Sequence, residues 1–262
     1  MREIEAWGVT YERYALQKEI LNLCRQLEMK TVAEMPAHGA KAMPSVYALG
    51  FGLAGKHVTL INGDETYGRC WDRLGLGNRV RFLKVRDLYT TGIPSGSFDF
   101  VWNFAFLPLA GSKYQLLEEM KRISKRYVAI FSVNYGNIGF HVHRTVHKLK
   151  KVPWTHGDVH YNKRKNVAQL LRRHGLKIVR KGFVDCPVWP DSIGFRDMRL
   201  HRQQTDPGGV DWESPYVTHL VSGRFPLWVR SVYAWENAPS PSFIKTLYAH
   251  LNYVVAEKRM GT

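Results

Sequence analysis

Between about residue 30 and residue 186, short apolar strand-like runs take turns with amphipathic stretches of helical length. That alternation limits the chain to a parallel sheet covered by helices. The strands expected from it are Thr31–Met35, His57–Asn62, Val80–Val85, Phe98–Phe104, Tyr127–Val133 and Leu176–Val184. Helices are expected at Ala40–Leu53, Thr66–Leu74, Ser112–Ser124 and Lys163–His174, with an amphipathic helix Thr10–Glu28 before the first strand. Ser112 is placed to cap a helix whose Tyr114, Leu116, Leu117, Met120 and Ile123 form one apolar stripe. Arg173-His174-Gly175 ends the next helix with a cationic last turn and a glycine.

The pattern breaks after Cys186. Residues 187–242 hold more than half of the prolines and four of the eight tryptophans, Trp189, Trp212, Trp228 and Trp235. With no clear strand–helix alternation, the stretch reads as an insertion or lid with an acceptor-binding role. A short helix, Phe243–His250, and an apolar run, Leu251–Ala256, follow and offer a last strand. The expected organisation is one α/β domain from residues 1–186 and 243–262, with residues 1–29 as a helical cover.

Composition narrows the class. At 45% hydrophobic and 23% charged residues, with a mean hydropathy of −0.30, the chain is globular and neither disordered nor fibrous. No run of 18 apolar residues occurs and charges are scattered through the first twenty positions, so the expectation is a cytoplasmic protein without a membrane span or secretory leader. Peripheral membrane contact stays open. Cys24, Cys70 and Cys186 are far apart and odd in number, the pattern of free thiols.

The net charge of +16 is concentrated. Sixteen Lys and Arg against the single acid Asp158 lie between Lys121 and Lys181, together with six of the eleven histidines. An excess of this size calls for an anionic neighbour, whether nucleic acid, a phosphorylated or carboxylated small molecule, or an acidic membrane surface. A solvated basic face that only aids solubility is the alternative.

In open α/β sheets ligands lie beyond the carboxyl ends of the strands. After the first strand comes Glu34-Met35-Pro36-Ala37-His38-Gly39-Ala40; after the second, Asn62-Gly63-Asp64; after the third, Arg86-Asp87-Leu88; after the fourth, Asn103-Phe104-Ala105. This series resembles the class I S-adenosylmethionine-dependent methyltransferases over residues 30–186. PSGSFDFVWNFAFLPLAGSKYQLLEEMKRISKRYVAIFSVN is similar to the family's fourth strand, helix and fifth strand, GLKIVRKGFVD to its sixth, and AHLNYVVAEK to the antiparallel seventh strand of the quinone and small-molecule branch. The resemblance implies a Rossmann-like, seven-stranded, mostly parallel sheet with helices on both faces and an insertion before the last strand.

It also implies S-adenosylmethionine as cofactor. Glu34 would close the first strand, and the Pro36, His38 and Gly39 loop would pass under the methionine part. Asn62, or Asp64 in its place, would face the ribose hydroxyls, and Asp87 with Leu88 the adenine. Asn103 and Phe104 would line the sulfonium and the acceptor pocket. The family's first loop is glycine-rich where this chain has Pro36, His38 and Ala40, so the close backbone approach that glycine permits is lost at those positions. Gly50-Phe51-Gly52-Leu53-Ala54-Gly55 matches a phosphate-loop spacing, but it follows a helix and precedes a strand, the reverse of what such a loop needs.

Methyl transfer is an in-line displacement, so positioning supplies much of the catalysis and a base is needed only for a protonated acceptor. His141, His143 and His156 are candidate bases, with His38 beside the cofactor loop. His141/His143 alternate along what reads as an extended segment, as do His156/Asp158/His160, but neither set has the companion ligands of a metal site, and none is expected. Tyr11 and Tyr14, near Trp7 at the start of the first helix, are candidate substrate-binding residues. The expected function is methyl transfer to a small-molecule or lipid-like, anionic acceptor. RNA methyl transfer using the basic 121–181 segment is one alternative, although no Asn/Asp-Pro-Pro-aromatic motif follows the fourth strand. Non-catalytic ligand binding on the same fold is the other.

Overall fold

The computed structural model describes residues 2–38, 43–187, 189 and 211–259. Strands β2 (Thr31–Glu34), β3 (His57–Ile61), β4 (Val80–Leu83), β5 (Phe98–Phe104), β6 (Ser124–Val133), β7 (Leu176–Val184) and β9 (Leu251–Lys258) form one sheet in the order β4-β3-β2-β5-β6-β9-β7. All neighbours are parallel except β9, which runs antiparallel between β6 and β7. A separate two-stranded sheet pairs β1 (Arg2–Ile4) with β8 (Asp211–Glu213). This is the architecture expected from the alternation, with the terminal apolar run returning as the inserted strand.

Both faces of the sheet are buried, which is why its strands read as nearly continuous apolar runs. Phe100, Trp102 and Phe104 of β5, Phe131 of β6 and Tyr253 of β9 point to one face, and Val101, Val128, Ile130 and Val254 to the other. On the aromatic face lie α1 (Trp7–Gln26), α2 (Leu49–Leu53) and α3 (Gly68–Arg73); on the aliphatic face lie α4 (Lys113–Ile123) and α6 (Arg164–Arg173). Ser112 caps α4 by accepting from the Gln115 amide at 3.2 Å. No helix among the described residues is long and apolar enough to cross a membrane.

Three expectations need correction. The helix Ala40–Leu53 is instead a 3-10 turn, Pro44–Val46, followed by the short α2; Ala40 lies outside the described residues. Pro44 permits only a start, and Gly50 and Gly52 are packing residues: a Cβ on Gly52 would sit 2.6 Å from the Trp71 ring. The segment around His141 and His143, read as extended, lies instead in α5 (Ile138–Leu149), capped by Asn137, whose Oδ1 accepts from the Phe140 amide at 3.2 Å. Within 187–242, the described part contains α7 (Pro215–Ser222) and α8 (Leu227–Asn237), followed by α9 (Ser242–Tyr248). Tyr216, Val217 and Val229 from α7 and α8 belong to the main aromatic core, so this part of the insertion is built into the domain. Its prolines open helices, Pro215 at the first helical position and Pro226 at the cap, where a missing amide hydrogen costs nothing.

The basic run is spread over several elements. Lys121, Arg122, Lys125 and Arg126 sit at the amino end of β6, where Arg122 pairs with Glu119, Lys125 with Asp99 and Arg126 with Glu257. Arg144, Lys148, Lys150 and Lys151 follow its carboxyl end, on α5 and the turn after it. These are eight of the sixteen cations of the run; the other eight, from Lys163 to Lys181, lie on and beside α6 and β7.

Candidate active site

Strand order reverses direction between β2 and β5, and the loops at the carboxyl ends of β2, β3, β4 and β5 meet there. Asn103, at the end of β5, is completely buried. Its Nδ2 donates to the Met35 carbonyl at 2.7 Å, and its Oδ1 accepts from the Leu107 amide at 2.9 Å and more distantly from Phe106. Its side chain is a bracket that fixes the β2 and β5 ends to each other. Phe104 turns to the aromatic core and stacks on Tyr47 at 4.0 Å.

The loop after β2 is anchored by the Met35 amide on the Trp102 carbonyl and the Ala37 amide on the Ile61 carbonyl, with Pro36 buried between. His38 stands at its exposed edge, its ring edge-on to Phe106 at 5.1 Å. Burial pushes the His38 pKa below the usual imidazole range, a hydrogen bond with the Asn62 backbone pulls it up, and the Lys84 charge pushes it down again. Gly39 lies outside the described residues.

Asn62 has a left-handed backbone, φ 55°, and its Oδ1 accepts from the Val85 amide at 2.8 Å. Its side chain therefore ties β3 to β4. Asp64 is exposed, and its Oδ1 accepts from the Thr66 amide and hydroxyl at 3.0 and 2.7 Å. Asp87 is exposed as well, and its Oδ1 accepts from the Tyr89 amide at 2.8 Å. Each carboxylate spends one oxygen on its own turn. Leu88 packs against the aliphatic core.

Beneath these loops α1 contributes charge. Arg13 is buried, its Nη2 2.5 Å from Glu5 Oε1 and 3.2 Å from the Met43 carbonyl, and its guanidinium lies 4.3 Å over the Tyr47 ring. Glu34 is buried on the strand end; burial pushes its carboxyl well above the usual range and the Arg13 charge draws it back. Arg13 Nη1 and Glu34 Oε2 have no hydrogen-bond partner among the described residues. A buried unpaired donor and acceptor of this kind are costly unless something polar meets them.

Tyr11 and Tyr14 are both buried. The Tyr11 hydroxyl donates to Glu236 Oε2 at 2.5 Å, and Glu236 also accepts from the Cys186 amide at 3.0 Å. Burial pushes the Glu236 carboxyl up to about 7, against the pull of the Tyr11 hydrogen bond. Tyr14 packs on Phe225 and Tyr233. Trp7 stays exposed while touching Trp189 and Trp228 at 4.6 and 5.7 Å, leaving an aromatic cluster open at the start of α1. His141 is exposed on α5, edge-on to Tyr135 at 4.8 Å. His143 is instead brought to His147 and His156.

Sequence reasoning passed over Arg13, Glu5, Tyr47 and Glu236, because nothing local marks contacts that the fold makes between α1, the loop after β2 and α8. His147 did carry a signal, its spacing of four from His143, which is one face of a helix.

This mostly parallel, seven-stranded α/β fold recurs in solved structures. Magnesium protoporphyrin IX methyltransferase from Synechocystis PCC 6803 superposes with a TM-score of 0.55 at 12% identity, over 97% of this chain and 89% of that one. The chain has the fold of the class I S-adenosylmethionine-dependent methyltransferases. A SAM-dependent methyltransferase from Thermotoga maritima is similar at a TM-score of 0.51 and 13% identity, over 97% and 93% of the two chains. The cyclase SpnF is similar at 0.55 and 15%, over 94% and 80%. No protein-family model and no curated protein sequence matches the chain.

Proposed function

We propose that the chain transfers a methyl group from S-adenosylmethionine to a small, anionic acceptor with an apolar part. The observation that carries this reading is that two exposed carboxylates, Asp64 and Asp87, follow the carboxyl ends of the neighbouring strands β3 and β4, on one side of the switch point. The donor set fits the cofactor. Carboxylate oxygens accept from ribose hydroxyls and from an adenine amino group, and Arg13 Nη1 and Glu34 Oε2, without partners among the described residues, give a donor and an acceptor near the loop after β2, where an amino-acid moiety belongs. When bound, S-adenosylmethionine supplies a methyl group activated by a positive sulfur.

The chain's own task is to position and to remove a proton where the acceptor carries one. His38 suits the second role: a lowered pKa keeps it neutral at physiological pH and able to accept. The exposed Trp7 beside the partly buried Trp189 and Trp228 supports an apolar part in the acceptor, and Arg144, Lys148, Lys150 and Lys151 support a negative one.

Calorimetric titration with S-adenosylmethionine and S-adenosylhomocysteine, beside Asp87→Ala, tests the proposal. Micromolar binding by the native chain and a loss of roughly tenfold or more in the variant is the expected result, the equivalent of about 1.4 kcal/mol. Absence of binding to either compound overturns it. Binding without turnover across carboxylate and phenolate acceptors would make the protein a ligand-binding member of the fold.

A further inference from the structure

The segment after β6 gathers three imidazoles. His143 and His147 lie one turn apart on α5, and His156 comes from the loop that follows; one nitrogen from each lies within 4.8 Å of the others. The Nε2 atoms of His143 and His147 are 2.9 Å apart, a spacing at which one nitrogen donates and the other accepts, and at which two N–H groups would oppose each other. His147 Nδ1 lies 3.0 Å from the Pro153 carbonyl, which can only accept. Nδ1 therefore carries the hydrogen and Nε2 turns its lone pair to the centre of the cluster, the arrangement in which a backbone carbonyl orients a metal-binding histidine.

The loop is held in place from outside. Trp154 Nε1 donates to the Gly157 carbonyl at 3.0 Å, and its ring stands 4.6 Å from His156, 5.3 Å from His147 and 5.7 Å from His143. Gly157 has φ 75°, and a Cβ there would sit 2.4 Å from the Pro108 carbonyl oxygen. The Asp158 amide donates to that same carbonyl at 2.9 Å, so the loop is pinned to the turn that follows β5.

We propose that His143, His147 and His156 bind one transition-metal ion of the zinc class, with a fourth position open to water or an anion. Nitrogen donors without carboxylates select zinc, copper or nickel over magnesium and calcium. Among the described residues the site has three protein ligands and one vacancy, which matches reactive zinc sites, whereas structural ones are closed by four. A tetrahedral ion at about 2 Å from each nitrogen needs donors about 3.3 Å apart, between the 2.9 Å of the closest pair and the 4.8 Å outer limit. Side-chain rotations of about an ångström close the site. Arg144, Lys148, Lys150 and Lys151 make the surroundings positive, which favours an anionic fourth ligand. The three histidines are not among the residues at the cofactor edge, while the cations around them are the ones assigned above to the acceptor's negative part.

The test is calorimetric titration of the metal-stripped full chain with zinc sulfate, followed by the visible spectrum of the cobalt form. One equivalent should bind at micromolar concentration or tighter, with the intense cobalt absorption of four-coordination. His147→Ala and His156→Gln should each weaken binding by at least roughly tenfold, while His141→Ala, on the same helix, should leave it unchanged. Circular dichroism establishes that the variants are folded, and His156→Gln carries the comparison should His147→Ala unfold. Failure to bind an equivalent of zinc, unchanged binding in both folded ligand variants, or an equal loss in His141→Ala overturns the assignment.

Discussion

The polar groups under α1 and those at the ends of β3 and β4 answer to different physics. Arg13 and Glu5 have side chains 1% exposed and are bonded to each other, whereas Asp64 and Asp87 are exposed and bond mainly to their own turns. Inside, a charge deprived of its partner stays desolvated, so the pair is locked into the stability of the fold. At the edge, water or a ligand can replace any partner at little cost, so the same chemistry is available for binding. Glu5→Ala gives the largest contrast. It leaves the buried Arg13 guanidinium with the Met43 carbonyl and the Tyr47 ring, and should cost about 3–5 kcal/mol, read as a lowered urea midpoint at unchanged slope. A loss below about 1 kcal/mol would mean that water reaches Arg13 and that the two regions do not differ in kind.

The same contrast explains what could be read in the sequence. The strands were legible because both faces of a parallel sheet are covered, which turns β5 and β6 into apolar runs that no loop would carry. The cofactor edge was legible as a list of residues after strands, but not as a division of labour. Only coordinates separate Asn62 and Asn103, whose amides tie strand ends together, from Asp64 and Asp87, which keep an oxygen for other partners. Helix α5 was hidden because His141 and His143 suggested an alternating strand. Its Asn137 cap and the His143/His147 interval are helical signals, and only the second places the two rings together. The Arg13–Glu5 and Tyr11–Glu236 pairs depend on where α1 docks, which no local pattern records.

Glu236 sharpens the comparison through pH. Its folded pKa, raised to about 7, lies above the ordinary carboxyl value of about 4.3. The folded state thus holds a proton that the unfolded state has released. Its contribution is complete below about pH 4 and is lost as pH rises towards 7, at up to about 1.4 kcal/mol per pH unit. Glu34 is raised as well and adds to the slope in the native chain, so the difference between the native chain and Glu236→Gln isolates Glu236. The amide oxygen can still accept from Tyr11 and from the Cys186 backbone. Urea unfolding at pH 5, 6, 7 and 8 should show the variant gaining on the native chain as pH rises. Parallel curves would place Glu236 in contact with solvent.

The smallest effect on stability belongs to Asp64. Asparagine keeps an oxygen for the Thr66 amide and hydroxyl, and the Asp64 backbone amide still donates to the Ser45 hydroxyl at 2.7 Å. Asp64→Asn should therefore stay within about 0.5 kcal/mol of the native chain. What it removes is the negative charge and one acceptor oxygen, the features that a ribose hydroxyl would use. S-adenosylhomocysteine affinity should fall by roughly fivefold to tenfold, about 1–1.4 kcal/mol, in calorimetry at low ionic strength. A variant that is destabilised like Glu5→Ala would show that the carboxylate supports the fold, and the distinction between a fixed interior and an exchangeable edge would fail at the residue where it is drawn most finely. Unchanged affinity at unchanged stability would instead move the nucleoside contacts to Asp87 alone.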